Sequence, residues 1–281
     1  MTLPDAANSQ ETMPLFHIAF YQFTPLTDPD AVVTALRALT VGLLGSVLVA
    51  EEGINGVLAG PACALDAFEQ SLTSLPQANG GFAGMVFKRS NCRTAPFARI
   101  KIHRKDEIVA RGVAQPDKVG SGSGIDVSPA DWRALIAADD VVVIDNRNSF
   151  EYRLGRFKNA IDPQVDNFRD FSAFMAAHAP AWKAQGKRVA MYCTGGIRCE
   201  KTSASMADAG LPIYQLEGGI LNYLQSMPDA ERDWEGECFV FDNRIALDSK
   251  LQETATTADQ VYSHPEDAWR LARARRLDAA G

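Results

Sequence analysis

No apolar run in this chain is long enough to cross a bilayer, and its first residues carry no signal-peptide pattern. Together these absences argue against a helical membrane protein and point to a cytoplasmic one. Cysteine is sparse. The five residues at 63, 92, 193, 199 and 238 are scattered and odd in number, which argues against a disulfide framework and fits a reducing compartment. Neither Cys63 nor Cys92 has a partner at metal-ligand spacing, and no cysteine follows Cys238, so no metal site is expected. Glycine-rich nicotinamide or flavin fingerprints are missing, as is a histidine/carboxylate set for iron. No cofactor is therefore evident. An excess of positive charge is missing too: the net charge of −7 does not announce a nucleic-acid binder, although global charge says little about one face.

What is present supports two ordinary domains. The chain has 281 residues, 46% of them hydrophobic, enough for sizeable cores. After a polar stretch, 1–13, expected to be disordered, Leu15 to Phe23 reads as a strand. Asp28-Pro29 is a cap followed by a helix starter, and Val32, Leu36 and Leu39 give that helix its apolar face. Leu43 to Ala50 is a strand, Glu51 to Gly56 a turn, Val57 to Ala59 a short strand. Pro61 to Leu75 is a helix with Leu65, Phe68 and Leu72 inside, and Met85 to Lys88 and Arg99 to His103 are strands. The βαββαβ order predicts a ferredoxin-like domain over 14–105. Gln115-Pro116 and the run Gly120 to Gly124 mark 106–125 as a linker.

From 126 to 226 strands and helices alternate, which predicts a doubly wound parallel sheet. Its parts are a helix after Ser128-Pro129, the apolar strand Val141 to Ile144, a helix over Phe168 to His178, the strand Val189 to Tyr192, a helix over Glu200 to Ala209, and the strand Ile213 to Leu216. His178 reads as a helix-end contact rather than a base. The extension, 227–281, pairs short strands within Trp234 to Leu247 and then forms one helix over Lys250 to Gly281.

The chemistry centres on Cys193-Thr194-Gly195-Gly196-Ile197-Arg198-Cys199-Glu200-Lys201. The cysteine leaves a strand and faces a tight loop feeding a helix N-terminus. Two glycines let the loop bend, its N–H groups point inward, and Arg198 adds a full positive charge. Such a setting stabilises a thiolate, the reactive form of cysteine. Thr194, Gly195, Gly196, Ile197 and Arg198 thus form a candidate anion-binding loop. Cys199 reads either as a resolving thiol or as a core residue. Asp145 and Arg147 end the preceding strand on the same edge; they support the site or form a structural ion pair. Two basic clusters are candidate RNA contacts: Lys88, Arg89, Arg93, Arg99, Lys101, Arg104 and Lys105, and nearer the C-terminus Arg270, Arg273, Arg275 and Arg276.

A Cys-led loop of this length resembles that of the rhodanese family. The full stretch is joined in order by Glu52-Gly53-Ile54-Asn55-Gly56, Asp145-Asn146-Arg147-Asn148, Gly218-Gly219-Ile220 and Gly236-Glu237-Cys238-Phe239-Val240-Phe241-Asp242. Together they resemble the rhodanese-domain tRNA uridine hydroxylases. The resemblance implies a rhodanese-like catalytic domain and hydroxylation of the wobble uridine to 5-hydroxyuridine. Molecular oxygen would be co-substrate, the reductant is unidentified, and the tRNA anticodon loop would be the partner, with neither DNA nor membrane. It also implies that Cys193 carries a persulfide or another reversible adduct, and that Glu151 and Gly155-Arg156-Phe157 follow the Asp-x-Arg of 145–147. Relatives often continue into a cysteine-rich tail, which is lacking here. A sulfurtransferase, or an RNA- or protein-binding module without turnover, remains the alternative.

Overall fold

The computed structural model describes residues 14–76, 81–111, 124–206 and 210–278. The stretch 1–13 and the Gly-rich part of the expected linker, 112–123, lie outside the described residues.

Alternation builds the first sheet. In β1 (Leu15–Phe23), Ile18 and Phe20 are buried on one face. α1 (Pro29–Leu39) starts as its cap dictates: Ala31 N–H donates to Asp28 Oδ1 at 2.9 Å, with Pro29 in the first turn. Then follow β2 (Leu44–Ala50), β3 (Gly53–Pro61), α2 (Ala62–Thr73), β4 (Phe87–Cys92) and β5 (Ile100–Arg104). The sheet order is β4-β1-β3-β2-β5, with β5 parallel to β2 and the other pairs antiparallel. This is the ferredoxin-like layout with one added edge strand. Val32, Leu36, Leu65, Phe68 and Leu72 of the two helices pack on Ile18, Phe20, Val47, Ile54 and Leu58. The opposite sheet face is left for the second domain.

One expected turn is a strand. Only Glu51 and Glu52 turn, and Gly53 to Gly56 lie within β3. The glycines serve close approach rather than bending. Gly53 has φ +141°, and a Cβ there would stand 2.0 Å from the Gln22 carbonyl oxygen.

The second sheet is parallel, in the order β6-β10-β9-β7. Its elements are β6 (Ile125–Val127), α3 (Pro129–Ile136), β7 (Val141–Asp145), α4 (Ser149–Leu154), β8 (Gly155–Phe157), α5 (Phe171–Ala184), β9 (Arg188–Tyr192), α6 (Ile197–Met206), β10 (Ile213–Leu216) and α7 (Gly219–Ser226). Alternate residues face opposite layers: Val143, Ala190 and Tyr192 meet Trp132 and Tyr223, whereas Ile144, Val189 and Met191 meet Phe171 and Met175. That is the doubly wound arrangement.

Two helices differ from the sequence expectation. α5 runs past Pro180 to Ala184, so His178 lies inside it. The His178 ring stacks on Phe174 and Trp182, at 4.3 and 5.5 Å between centroids. Side chains four apart thus hold the helix on both sides of the proline. α6 begins at Ile197, so Arg198 and Cys199 belong to its first turn and not to the loop.

The extension folds back. β11 (Trp234–Gly236) pairs antiparallel with β8, and β12 (Cys238–Phe239) with β13 (Ala246–Leu247). The single helix expected beyond Lys250 is two, α8 (Ala258–Val261) and α9 (Ala268–Asp278). Pro265, which no helix interior tolerates well, stands between them. No helix among the described residues is long and apolar enough to cross a membrane.

Candidate active site

Cys193 follows the last residue of β9, and the backbone around it is clamped from behind. Its carbonyl accepts from Ile220 N–H at 3.0 Å, and that of Thr194 from Leu221 N–H at 3.1 Å, both at the start of α7. Gly218 and Gly219 have φ +69° and +70°. A Cβ on Gly219 would stand 2.5 Å from the Cys193 oxygen, so only glycine permits this approach. With its carbonyls turned outward, the loop turns its N–H groups inward. Gly196 N–H donates to Cys193 Sγ at 3.1 Å, and the backbone of Arg198 and Cys199 adds to the pull that lowers this thiol. Of the loop's two glycines only Gly196, at φ +102°, is in the left-handed region.

Burial alone would push the Cys193 thiol up. A hydrogen bond from Cys199, the Arg198 charge and the loop N–H groups outweigh it and hold the thiol well below its ordinary value. Cys199 is displaced the other way, well upward, by burial and by its neighbour Cys193. One sulfur is thus set as thiolate and the other as the donor that steadies it.

Arg198 is not a free anion holder. Its guanidinium donates twice to Glu151, both at 2.8 Å, and the pair is buried. Burial pushes the Glu151 carboxyl up, but Arg198 pulls harder, and the net shift is downward. Glu151 also accepts from Asn148 N–H at 3.1 Å, fastening the first turn of α4 to α6. Asp145 and Arg147 form a second buried pair, with Arg147 Nε to Asp145 Oδ1 at 2.8 Å and a guanidinium nitrogen to Oδ2 at 2.6 Å. Arg147 also donates to the Gly155 carbonyl and lies over the Tyr192 and Trp234 rings. Neither Asp145 nor Arg147 lines the cavity that holds Cys193; they hold the strand ends behind it.

That cavity measures 680 Å³. The loop and Arg198 form one wall, the open face of the first sheet (His17, Ala19, Ser46, Leu48, Lys88, Ser90) another, and Phe241 and Arg244 of the extension a third. The ferredoxin-like domain is therefore half of the site. Lys88 donates to the Gly195 carbonyl and lies 5.3 Å from the centre of the Tyr21 ring. Burial lowers the Lys88 ammonium's proton affinity, opposed by the Cys193 and Glu200 charges. Tyr21 hydrogen-bonds to Glu200, the second residue beyond Arg198. Next to it, Lys201 Nζ donates to both Glu52 oxygens at 2.8 and 3.0 Å and to the Val109 carbonyl at 2.9 Å. That buried bond joins the domains.

The first basic cluster does not form one surface. Lys88 and Arg89 are on β4 and Lys101 and Arg104 on β5, at opposite edges of the sheet. Arg89 is held by Asp66 and Glu69, Arg93 by Glu253, and Arg104 by Glu51. Arg99, Lys101 and Lys105 have no ion pair among the described residues. In the second cluster Arg270 is held by Asp267 and Arg275 by Asp259, while Arg273 lines the cavity. Among the described residues no group of three or more His, Cys, Asp or Glu side chains converges as a metal site.

Residues 16–108 match the family model of the UPF0176 acylphosphatase-like domain, and residues 128–226 that of the rhodanese-like domain. A tRNA uridine(34) hydroxylase of Jannaschia sp. (strain CCS1) is 42% identical over 250 residues, covering 88% of this chain and 80% of that one. The tRNA uridine(34) hydroxylase of Bradyrhizobium diazoefficiens is 45% identical over 238 residues, covering 84% of this chain and 92% of that one. The chain belongs to the tRNA uridine(34) hydroxylase family. Among solved structures, a rhodanese-related protein from Thermoplasma volcanium is 25% identical, covers 37% of this chain and 93% of its own, and superposes with a TM-score of 0.28.

In this member of the hydroxylase family, three contributors to the site were unequally visible in the sequence. The Tyr21–Glu200 contact carried no local signal. Lys88 was visible only as one of seven basic residues. Glu151 was named by the family resemblance alone, although its spacing of three from Asn148 is a capping-box interval. The Cys199 geometry carries a test. A depressed thiol ionises at lower pH than an ordinary one, and removing a donor to the thiolate raises its pKa. In Cys199→Ala, iodoacetamide alkylation of Cys193 should need a higher pH for half-maximal rate, by about one unit or more. An unshifted alkylation profile would show that Cys199 only fills space.

Proposed function

We propose that this protein hydroxylates C5 of uridine 34 in tRNA, with Cys193 as the reacting group and molecular oxygen as oxidant. The carrying observation is a stabilised thiolate on the wall of a 680 Å³ cavity built from both domains, in a chain 42% identical to a tRNA uridine(34) hydroxylase. A cavity of about 300–1,000 Å³ is the size that takes a small organic group such as a nucleobase. The base needs no extrusion from a duplex, because anticodon-loop bases are accessible. The partner is therefore the tRNA anticodon loop, and the place of work the cytoplasm.

The thiolate suits the chemistry that C5 needs. Addition of Cys193 sulfur to C6 forms a C–S bond and moves an electron pair towards C5 and O4. The enriched C5 then takes an oxygen atom. Loss of the C5 proton and breaking of the C–S bond restore the ring and the thiolate. Oxygen supplies one atom to the product, and the other leaves as water with two electrons and two protons from a reductant.

The test is nucleoside mass spectrometry of tRNA from cells lacking this protein, complemented with wild type or Cys193→Ala, in air and without oxygen. The expected result is 5-hydroxyuridine, or nucleosides derived from it, only with wild type in air. Unchanged nucleosides in every culture would remove the proposal, and a thiosulfate-to-cyanide assay would then test sulfur transfer.

A further inference from the structure

The motif Gly236 to Asp242 has no part in the loop chemistry, yet it places one aromatic ring in the cavity. Along it Phe239 and Val240 are buried and Phe241 is 63% exposed. Of the large apolar side chains exposed among the described residues, Phe241 alone lines the cavity with Cys193.

The ring is held firmly for an exposed one. Its centroid is 4.9 Å from that of Phe239, edge to face. Its neighbour Asp242 is buried and bound twice by Arg244, at 2.9 and 2.7 Å, and Arg244 donates to Ser90 Oγ of β4 at 3.1 Å. Asn243 N–H donates to the Pro96 carbonyl at 3.0 Å. The turn is thus tied to the first domain while its strands belong to the extension. Ile245 keeps φ +62° to close it, a conformation costly for a β-branched residue.

On the loop side, the Arg198 guanidinium lies 5.9 Å from the ring centre, and the same guanidinium acts on Cys193. The platform and the thiolate therefore flank one side chain. Arg169 and Arg273 also line the cavity, are exposed, and have no ion pair among the described residues. An aromatic face, unpaired cations on the same walls and a reactive group beside them fit a nucleotide better than an apolar peptide.

We infer that Phe241 is the stacking platform for the target uracil of the RNA, with Arg169 and Arg273 taking the flanking phosphates. This rests on the function proposed above. A phenyl ring has only two side-chain torsions to fix, so it presents a large stacking face at low cost in side-chain freedom.

The experiment is a binding cycle by fluorescence anisotropy, using an anticodon stem-loop with uridine at 34 and the same RNA abasic at 34. Phe241→Ala should weaken binding of the uridine RNA by roughly 5- to 150-fold, the worth of one stacked base. Phe241→Leu should lose nearly as much, and Phe241→Trp should retain binding. On the abasic RNA, Phe241→Ala should change affinity less than about twofold, because the two deletions remove one contact. An exposed ring can be replaced without unfolding, and an unchanged midpoint of urea unfolding checks that.

Equal loss on both RNAs, or none on either, overturns the inference. So does unaltered RNA binding accompanied by dissociation of a dimer on sedimentation, which would assign the ring to self-association. Wild-type protein that neither binds nor hydroxylates the uridine RNA overturns the proposed function as well. Wild-type activity without a base-dependent loss overturns this inference alone.

Discussion

Cys193→Ser leaves a folded protein whose hydroxylation rate falls by roughly 10³-fold or more, the scale of losing a nucleophile. Serine keeps the shape, and its hydroxyl can accept the Gly196 N–H that now meets Sγ at 3.1 Å. It cannot keep the charge, since every donor around position 193 is arranged for an anion that a hydroxyl does not form at neutral pH. Stability should therefore change by less than about 1 kcal/mol while turnover collapses. The wild-type pH profile has a matching sign. A thiolate is present above its pKa, and that of Cys193 is held well below the ordinary thiol value of 9.0. Turnover should then be flat from neutral to mildly alkaline pH and decline only in acid. A purified Cys193→Ser protein within tenfold of wild type on tRNA, or a rate rising steadily towards pH 9, would remove the thiolate from the mechanism.

Arg147→Leu should have the opposite signature, a large loss of stability with little effect on the thiolate. The substitution leaves Asp145 buried without its two hydrogen bonds at 2.8 and 2.6 Å. Breaking such a pair costs about 3–5 kcal/mol, because the partner charge is stranded. The double variant Asp145→Ala/Arg147→Leu should recover part of that loss, since no charge then remains buried. Urea unfolding measures both. The alkylation profile of Cys193 should stay in place, because Arg147 is not among the groups that set that thiol and does not line the cavity. A single variant costing under about 1 kcal/mol, or one that shifts the thiol, would return Arg147 to the catalytic machinery.

Much of the fold was legible because it rests on local signals. Asp28-Pro29 and Ser128-Pro129 marked helix starts, and the helix faces of 32–39 and 65–72 carried a clear period. Errors arose where long-range contact overrode a local rule. Gly53 and Gly56 looked like turn residues, but neighbouring strands require them bare. Pro180 looked like a helix end, but an aromatic stack carries α5 through it.

The site divided the same way. Cys193 and its loop could be read from a few consecutive residues. The basic residues 88–105 looked like one patch because they are close in the chain, yet the sheet order sends them to opposite edges. Arg198 looked free because Glu151, 47 positions away, gives no sign in one dimension that it will meet it.

The bond between Lys201 and Glu52 has a consequence for how this chain can vary. The two residues are 149 positions apart and in different domains; Lys201 is the cation that neutralises buried Glu52, while Lys201 itself also meets Glu107 at 3.5 Å. Loss of Lys201 leaves the Glu52 charge buried without a cation, whereas loss of Glu52 leaves Lys201 with Glu107 and the Val109 carbonyl. Substitution of Lys201 is therefore costly while Glu52 stays acidic, more so than the reverse change, and the tolerance of position 201 depends on what stands at position 52. The same coupling disfavours exchanging the rhodanese-like half between relatives unless a cation at position 201 comes with it, although each domain has a core of its own.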